Sequence, residues 1–112
     1  MFKIDKKTNA IYLTRGDTAP FNVDILDAKN KRYTPTDTDI FILTVKKNAT
    51  DNLPLIFKNN VGKASFIFES ADTQKLDIGE YVYDIQLKFD EKTVNTIVPI
   101  AHLYLCEEVG RE

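Results

Sequence analysis

Few side chains in this sequence could drive acid–base or nucleophilic chemistry. His102 is the single histidine and Cys106 the single cysteine. Between them runs extended chain, and four residues at roughly 3.3 Å each span about 13 Å. The two share a face of the strand but are too far apart to form a thiolate–imidazole pair. Asp17, Asp24, Asp37 and Asp39 could meet at one end of a β-fold and offer oxygens to Ca²⁺, yet they follow no ligand-loop spacing. No glycine-rich phosphate loop is present. Arg15-Gly16-Asp17 spells an integrin-recognised tripeptide and Asn48-Ala49-Thr50 a glycosylation sequon. Both read as turns, because residues 1–7 contain no apolar stretch of signal-peptide length. The residues therefore predict no catalytic group, no metal site and no cofactor, and the chain is not expected to be an enzyme.

Contact chemistry is better supplied. Tyr12, Tyr33 and Tyr104 are candidate interface aromatics, since a tyrosine on a β-surface offers large contact area and a polar tip. Such rings could serve a protein partner or stack on a sugar, so a carbohydrate-binding or cell-adhesion module is the alternative function. Charges of both signs are interleaved along the chain, with a net of -2. The one basic cluster, Lys29-Asn30-Lys31-Arg32, reads as a solvated turn, so no nucleic-acid partner is expected. No run approaches the roughly 20 apolar residues that cross a bilayer, and no membrane association is expected. A lone cysteine excludes an internal disulfide and fits synthesis in a reducing cytoplasm.

These residues must be positioned by strands. The 112 residues predict a single domain spanning 1–112, with 43% apolar and 11% aromatic content sufficient for a core. Residues 1–9 read as a polar lead-in in which only Phe2 and Ile4 suit a short edge strand, and 107–112 as a charged tail. Between these ends, strands are predicted at 11–14, 18–27, 39–47, 53–58, 64–69, 77–89 and 93–105. Alternation is cleanest after Gly79, where Tyr81, Tyr83, Ile85, Leu87 and Phe89 mark one face. Residues 40–43 are apolar on both faces, which predicts a central strand with Phe41, Leu43 and Val45 inward. Pro54 marks an edge, 59–62 a turn, and Asp90-Glu91-Lys92 a hairpin. Pro99 predicts an edge, a bulge or a change of sheet within the last strand. Residues 70–76 hold the only helical turn, with Ser70 as its cap.

Seven strands at roughly ten-residue spacing predict an all-β, immunoglobulin-like antiparallel β-sandwich. Asp77, Gly79 and Tyr81 have the order of that fold's corner, where a tyrosine hydroxyl pins the crossing between sheets. The second cysteine of an antibody domain would stand where Tyr83 is, and tryptophan is absent, so packing alone must join the layers.

Three stretches together resemble a known group. They are 11–18 with the alternating Phe21, Val23 and Ile25; Ala71-Asp72-Thr73 through the run from Gly79 to Leu87; and Thr96-Ile97-Val98 leading into a terminal β-run. The chain is similar to the small β-sandwich domains of tailed-bacteriophage virion proteins, notably the N-terminal domain of baseplate upper proteins. The resemblance implies a non-enzymatic virion component of baseplate, tail or head. It would be made in the host bacterial cytoplasm, dock on other virion proteins and assemble as a homo-oligomer. In the baseplate proteins further modules follow this domain, whereas this sequence stops at Glu112, which suggests a stand-alone component or part of a longer chain.

Overall fold

The computed structural model describes residues 1–26, 29–89 and 92–107. Its elements are β1 (Phe2–Ile4), β2 (Ile11–Thr14), β3 (Ala19–Asn22), β4 (Ile40–Lys46), β5 (Ile56–Val61), β6 (Ser65–Phe68), α1 (Ser70–Gln74), β7 (Gly79–Lys88) and β8 (Val94–Cys106). The all-β expectation holds. Six strands form one sheet in the order β1-β2-β8-β7-β4-β5, and β3 pairs with β6 in a second, two-stranded sheet. The large sheet curls, because both of its edges touch the small one. At one edge Phe2 stacks on Phe21, with ring centroids 5.3 Å apart. At the other edge, the Asn60 side-chain amide donates to the Ser65 carbonyl at 2.6 Å.

The sheet is mixed, not wholly antiparallel as the sequence suggested. β2 runs parallel to β8, with Ile11 beside Leu103 and Tyr12 beside Tyr104. A parallel neighbour requires a long crossover, and here every element from β3 to β7 serves as that connection. Alternating residues reveal which face a strand buries but carry no information on direction. The described residues also hold one strand more than the seven expected. Phe2 and Ile4 lean on the core, so part of the polar lead-in becomes β1.

Two strand boundaries move for clear reasons. β5 does occupy an edge but begins after Pro54 and continues through Asn59 and Asn60, which read as a turn in the sequence. Pairing of Phe41 with Asn60 overrides the turn chemistry of the asparagines. The chain reverses instead at Gly62, whose φ of 81° is left-handed and suits glycine. β3 stops at Asn22, short of the expected 18–27, although Val23 and Ile25 still pack on the core and Val23 N–H donates to the Ala64 carbonyl at 2.8 Å. The end of that expected strand at Asp27, the turn at 90–91 and the tail beyond Glu107 lie outside the described residues.

Core packing joins the layers. Phe41, Leu43 and Val45 of β4, Ile85 and Leu87 of β7 and Leu103 of β8 meet Phe21, Phe66 and Phe68 from the small sheet. Burying each such side chain contributes about 1.5–3 kcal/mol relative to exposure. α1 closes one end. Its N-cap is Glu69, one residue before the expected Ser70, because the Asp72 carboxylate reaches back to accept the Glu69 N–H at 2.7 Å. Thr73, fully buried, accepts the Gly16 N–H at 2.8 Å and so ties α1 to the turn after β2.

Tyr81 sits at the start of β7, where its hydroxyl donates to the Asp77 carbonyl at 2.6 Å. Lys47 Nζ lies 4.5 Å from the centre of the same ring. Tyr83, at the position of an antibody domain's second cysteine, instead directs its hydroxyl to the Asn9 carbonyl at 2.5 Å.

Candidate interaction surface

Alternation along β2, β8, β7, β4 and β5 sends one set of side chains to the core and the other to the outer face of the large sheet. Tyr12 and Tyr104 stand in register on that face, and their rings stack with centroids 5.0 Å apart at 19°. His102, two residues from Tyr104 and on the same face, tilts against that ring at 5.8 Å. Its Nδ1 lies 2.6 Å from Glu80 Oε1, on the neighbouring strand. Desolvation, then the nearby Glu80 carboxylate and Tyr12, raise the Tyr104 phenol above its ordinary value.

The β7–β8 ladder is irregular next to this group. Tyr83 pairs with Ala101 but Ile85 with Val98, and Gln86 with Thr96, so β8 carries one extra residue opposite Asp84 and another between the partners of Ile85 and Gln86. Pro99 lies in that stretch, where its missing N–H breaks no ladder bond. Ile100, on the face of His102 and Tyr104 by alternation, is 63% exposed. Ile100 and Asp84 then border a shallow depression of about 170 Å³, floored by Val82 and Thr44 and flanked by Lys46 and Gln86. Desolvation raises the Asp84 carboxyl, partly offset by attraction to Lys46. Beyond the depression the face runs to β5, where Phe57 is 54% and Val61 59% exposed.

The sequence candidates separate in space. Tyr12 and Tyr104 come together, but Tyr33 does not join them. Its hydroxyl donates to Asp39 Oδ2 at 2.5 Å, and its ring meets Phe89 edge-on at 6.1 Å. Asp39 is 2% exposed and also accepts the Thr36 N–H at 3.0 Å. Burial alone would raise this carboxyl; hydrogen bonds from Thr36 and Tyr33 outweigh it and hold Asp39 below its ordinary value. The same bond to Asp39, with burial and the carboxylate charge, pushes the Tyr33 phenol up to about 12. Tyr33 and Asp39 thus fasten the 33–39 loop.

The four aspartates considered for Ca²⁺ do not converge. Asp24 pairs with Arg32 at 2.6 Å, Asp17 contacts the Met1 amino group, and Asp39 is held by Tyr33. Among the described residues no three His, Cys, Asp or Glu side chains gather as a metal site. The Arg15-Gly16-Asp17 turn is built into the fold: Arg15 N–H donates to the Cys106 carbonyl at 2.9 Å, and Gly16 is buried on Thr73. Cys106 Sγ lies 3.8 Å from the Tyr104 carbonyl, and His102 is engaged with Glu80. Sequence reasoning placed 53–58 at an exposed edge without singling out Phe57, and missed Val61 and Ile100 as surface groups. Leu55, Ile56 and Phe57 are all apolar in the sequence, so only the pairing of β5 with β4 reveals that Ile56 turns inward and Phe57 outward.

No family model, no curated protein and no solved structure matches this chain.

Proposed function

We propose that this chain is an immunoglobulin-like sandwich domain of a tailed-bacteriophage virion, serving in assembly through protein–protein contacts. The observation that carries the contact role is the outer sheet face, where Tyr12, Tyr104, Ile100 and Phe57 stand outward beside an open sheet edge. Phe57 and Val61, exposed on the edge strand β5, add apolar contact area to the unpaired backbone groups that such an edge offers a partner. The Tyr81–Asp77 bond at the start of β7 supports the immunoglobulin-like reading, since it is the bond that fold's corner uses. The virion assignment rests on the sequence resemblance. Partners are then other virion proteins, with further copies of the chain among them, and no reaction is assigned.

Carbohydrate binding is less well supported by this geometry. Sugar stacking uses ring faces turned to solvent, and Tyr12 and Tyr104 turn a face of each ring on the other.

Mass spectrometry of density-purified phage particles from the encoding genome tests the proposal. Recovery of the chain in stoichiometric amount with tail, baseplate or head proteins is expected. Its absence from particles, in cells that do express it, would overturn the virion role.

A further inference from the structure

The free edges of the two sheets are not equivalent among the described residues. β1 is three residues long and β6 four. β3 contains Pro20, and the bond from Val23 N–H to the Ala64 carbonyl makes Asn22 and Ser65 a pair without mutual bonds. By alternation Pro20 and Ile67 form another such pair, so the missing N–H of Pro20 lies on the open side of β3 and blunts it. β5 is six residues long and holds neither proline nor glycine. Its one charge, Lys58, belongs to the other face and is bound to Asp72 at 2.6 Å.

The groups left open on β5 follow from one bond. Gly62 N–H donates to the Asp39 carbonyl at 2.8 Å, which brackets the Ile40–Val61 pair. The N–H and C=O of Val61 therefore point away from β4, and by alternation so do those of Asn59 and Phe57.

The geometry points to antiparallel pairing of β5 with β5 of a second copy, about a two-fold axis at Asn59. In that register Asn59 faces its own counterpart, and Phe57 faces the counterpart of Val61. All the outward N–H and C=O groups of these three residues then find partners. Phe57–Val61 is an aromatic–β-branched pair, a favoured combination across strands. The register is selective. An axis at Lys58 would set two lysines directly opposite, and one at Asn60 would leave Phe57 beyond the paired segment. With the axis at Asn59, Lys58 meets Asn60. The two large sheets would become one continuous sheet with their outer faces joined. This pairing deepens the assembly reading, on which it rests, by naming a second copy of the chain as a partner and β5 as the contact.

Sedimentation velocity over a graded concentration series tests it, using the full chain of 12.8 kDa. The expected result is a concentration-dependent rise in mass towards twice that of one chain. Asn59→Pro removes the N–H at the axis without touching a bond to β4, and Phe57→Lys sets a charge in the pair. Each should abolish the rise, with circular dichroism matching the unaltered chain. Should Asn59→Pro disturb folding, Phe57→Lys decides alone. A chain that stays monomeric at every concentration overturns the pairing. So does a dimer that survives Phe57→Lys, although association would then proceed through another surface and the assembly reading would stand.

Discussion

The Tyr81 hydroxyl is held by one backbone carbonyl in a mostly buried setting, so its removal leaves the Asp77 carbonyl short of a partner. Tyr81→Phe should lower stability by about 1–3 kcal/mol, read as a fall of several degrees in thermal melting. An unchanged melting temperature would show that the bond does not stabilise the corner. The Tyr33–Asp39 bond makes a prediction in pH. Tyr33 is raised to about 12 in the folded state, so its contribution is complete below its ordinary value near 10 and is lost as pH rises towards 12. Asp39 is lowered, so its contribution is present above the ordinary carboxyl range and is lost as pH falls through the depressed value. Urea melts of Tyr33→Phe should show a shallower alkaline decline than those of the unaltered chain, and identical declines would refute the coupling. Asp84 has the opposite sign for a carboxylate, because desolvation raises it. Asp84→Asn should therefore raise the melting temperature at pH 7, with the gain fading as pH falls through the raised folded-state value and gone below the ordinary carboxyl value of about 3.9. A lowered melting temperature at pH 7 would mean that attraction to Lys46 outweighs desolvation.

At the scale of elements, α1 is too short to be stable by itself, and its place depends on what it holds. Thr73 Oγ1 accepts the Gly16 N–H at 2.8 Å in a fully buried site. Thr73→Val keeps the shape and removes the acceptor, so it should cost about 1–3 kcal/mol in denaturant unfolding. A cost near zero would mean the amide finds another partner. The legibility of these elements in the sequence varied with the range of the interaction that fixes them. The alternation from Tyr81 to Leu87 is local, and β7 was readable from it. The bulge at Pro99 was readable as one of three outcomes, because proline forbids a ladder bond wherever it stands. By contrast, the end of β5 depends on β4 drawing Asn60 into register with Phe41, which no property of Asn59-Asn60 announces.

For the molecule as a whole, the outer face was the least legible feature. Tyr12 and Tyr104 were singled out separately by residue type, but their stacking depends on β2 lying parallel to β8, a contact between segments far apart in sequence. Tyr33, chosen on the same ground, went to the 33–39 loop because Asp39 is buried beside it. That parallel contact also sets when the molecule can be finished. β8 lies between β2 and β7 in the sheet, so on the ribosome the earlier strands must wait, with the middle of their sheet vacant, until Val94–Cys106 emerges. Until it does, β2 and β7 each present an unpaired edge to chaperones and proteases.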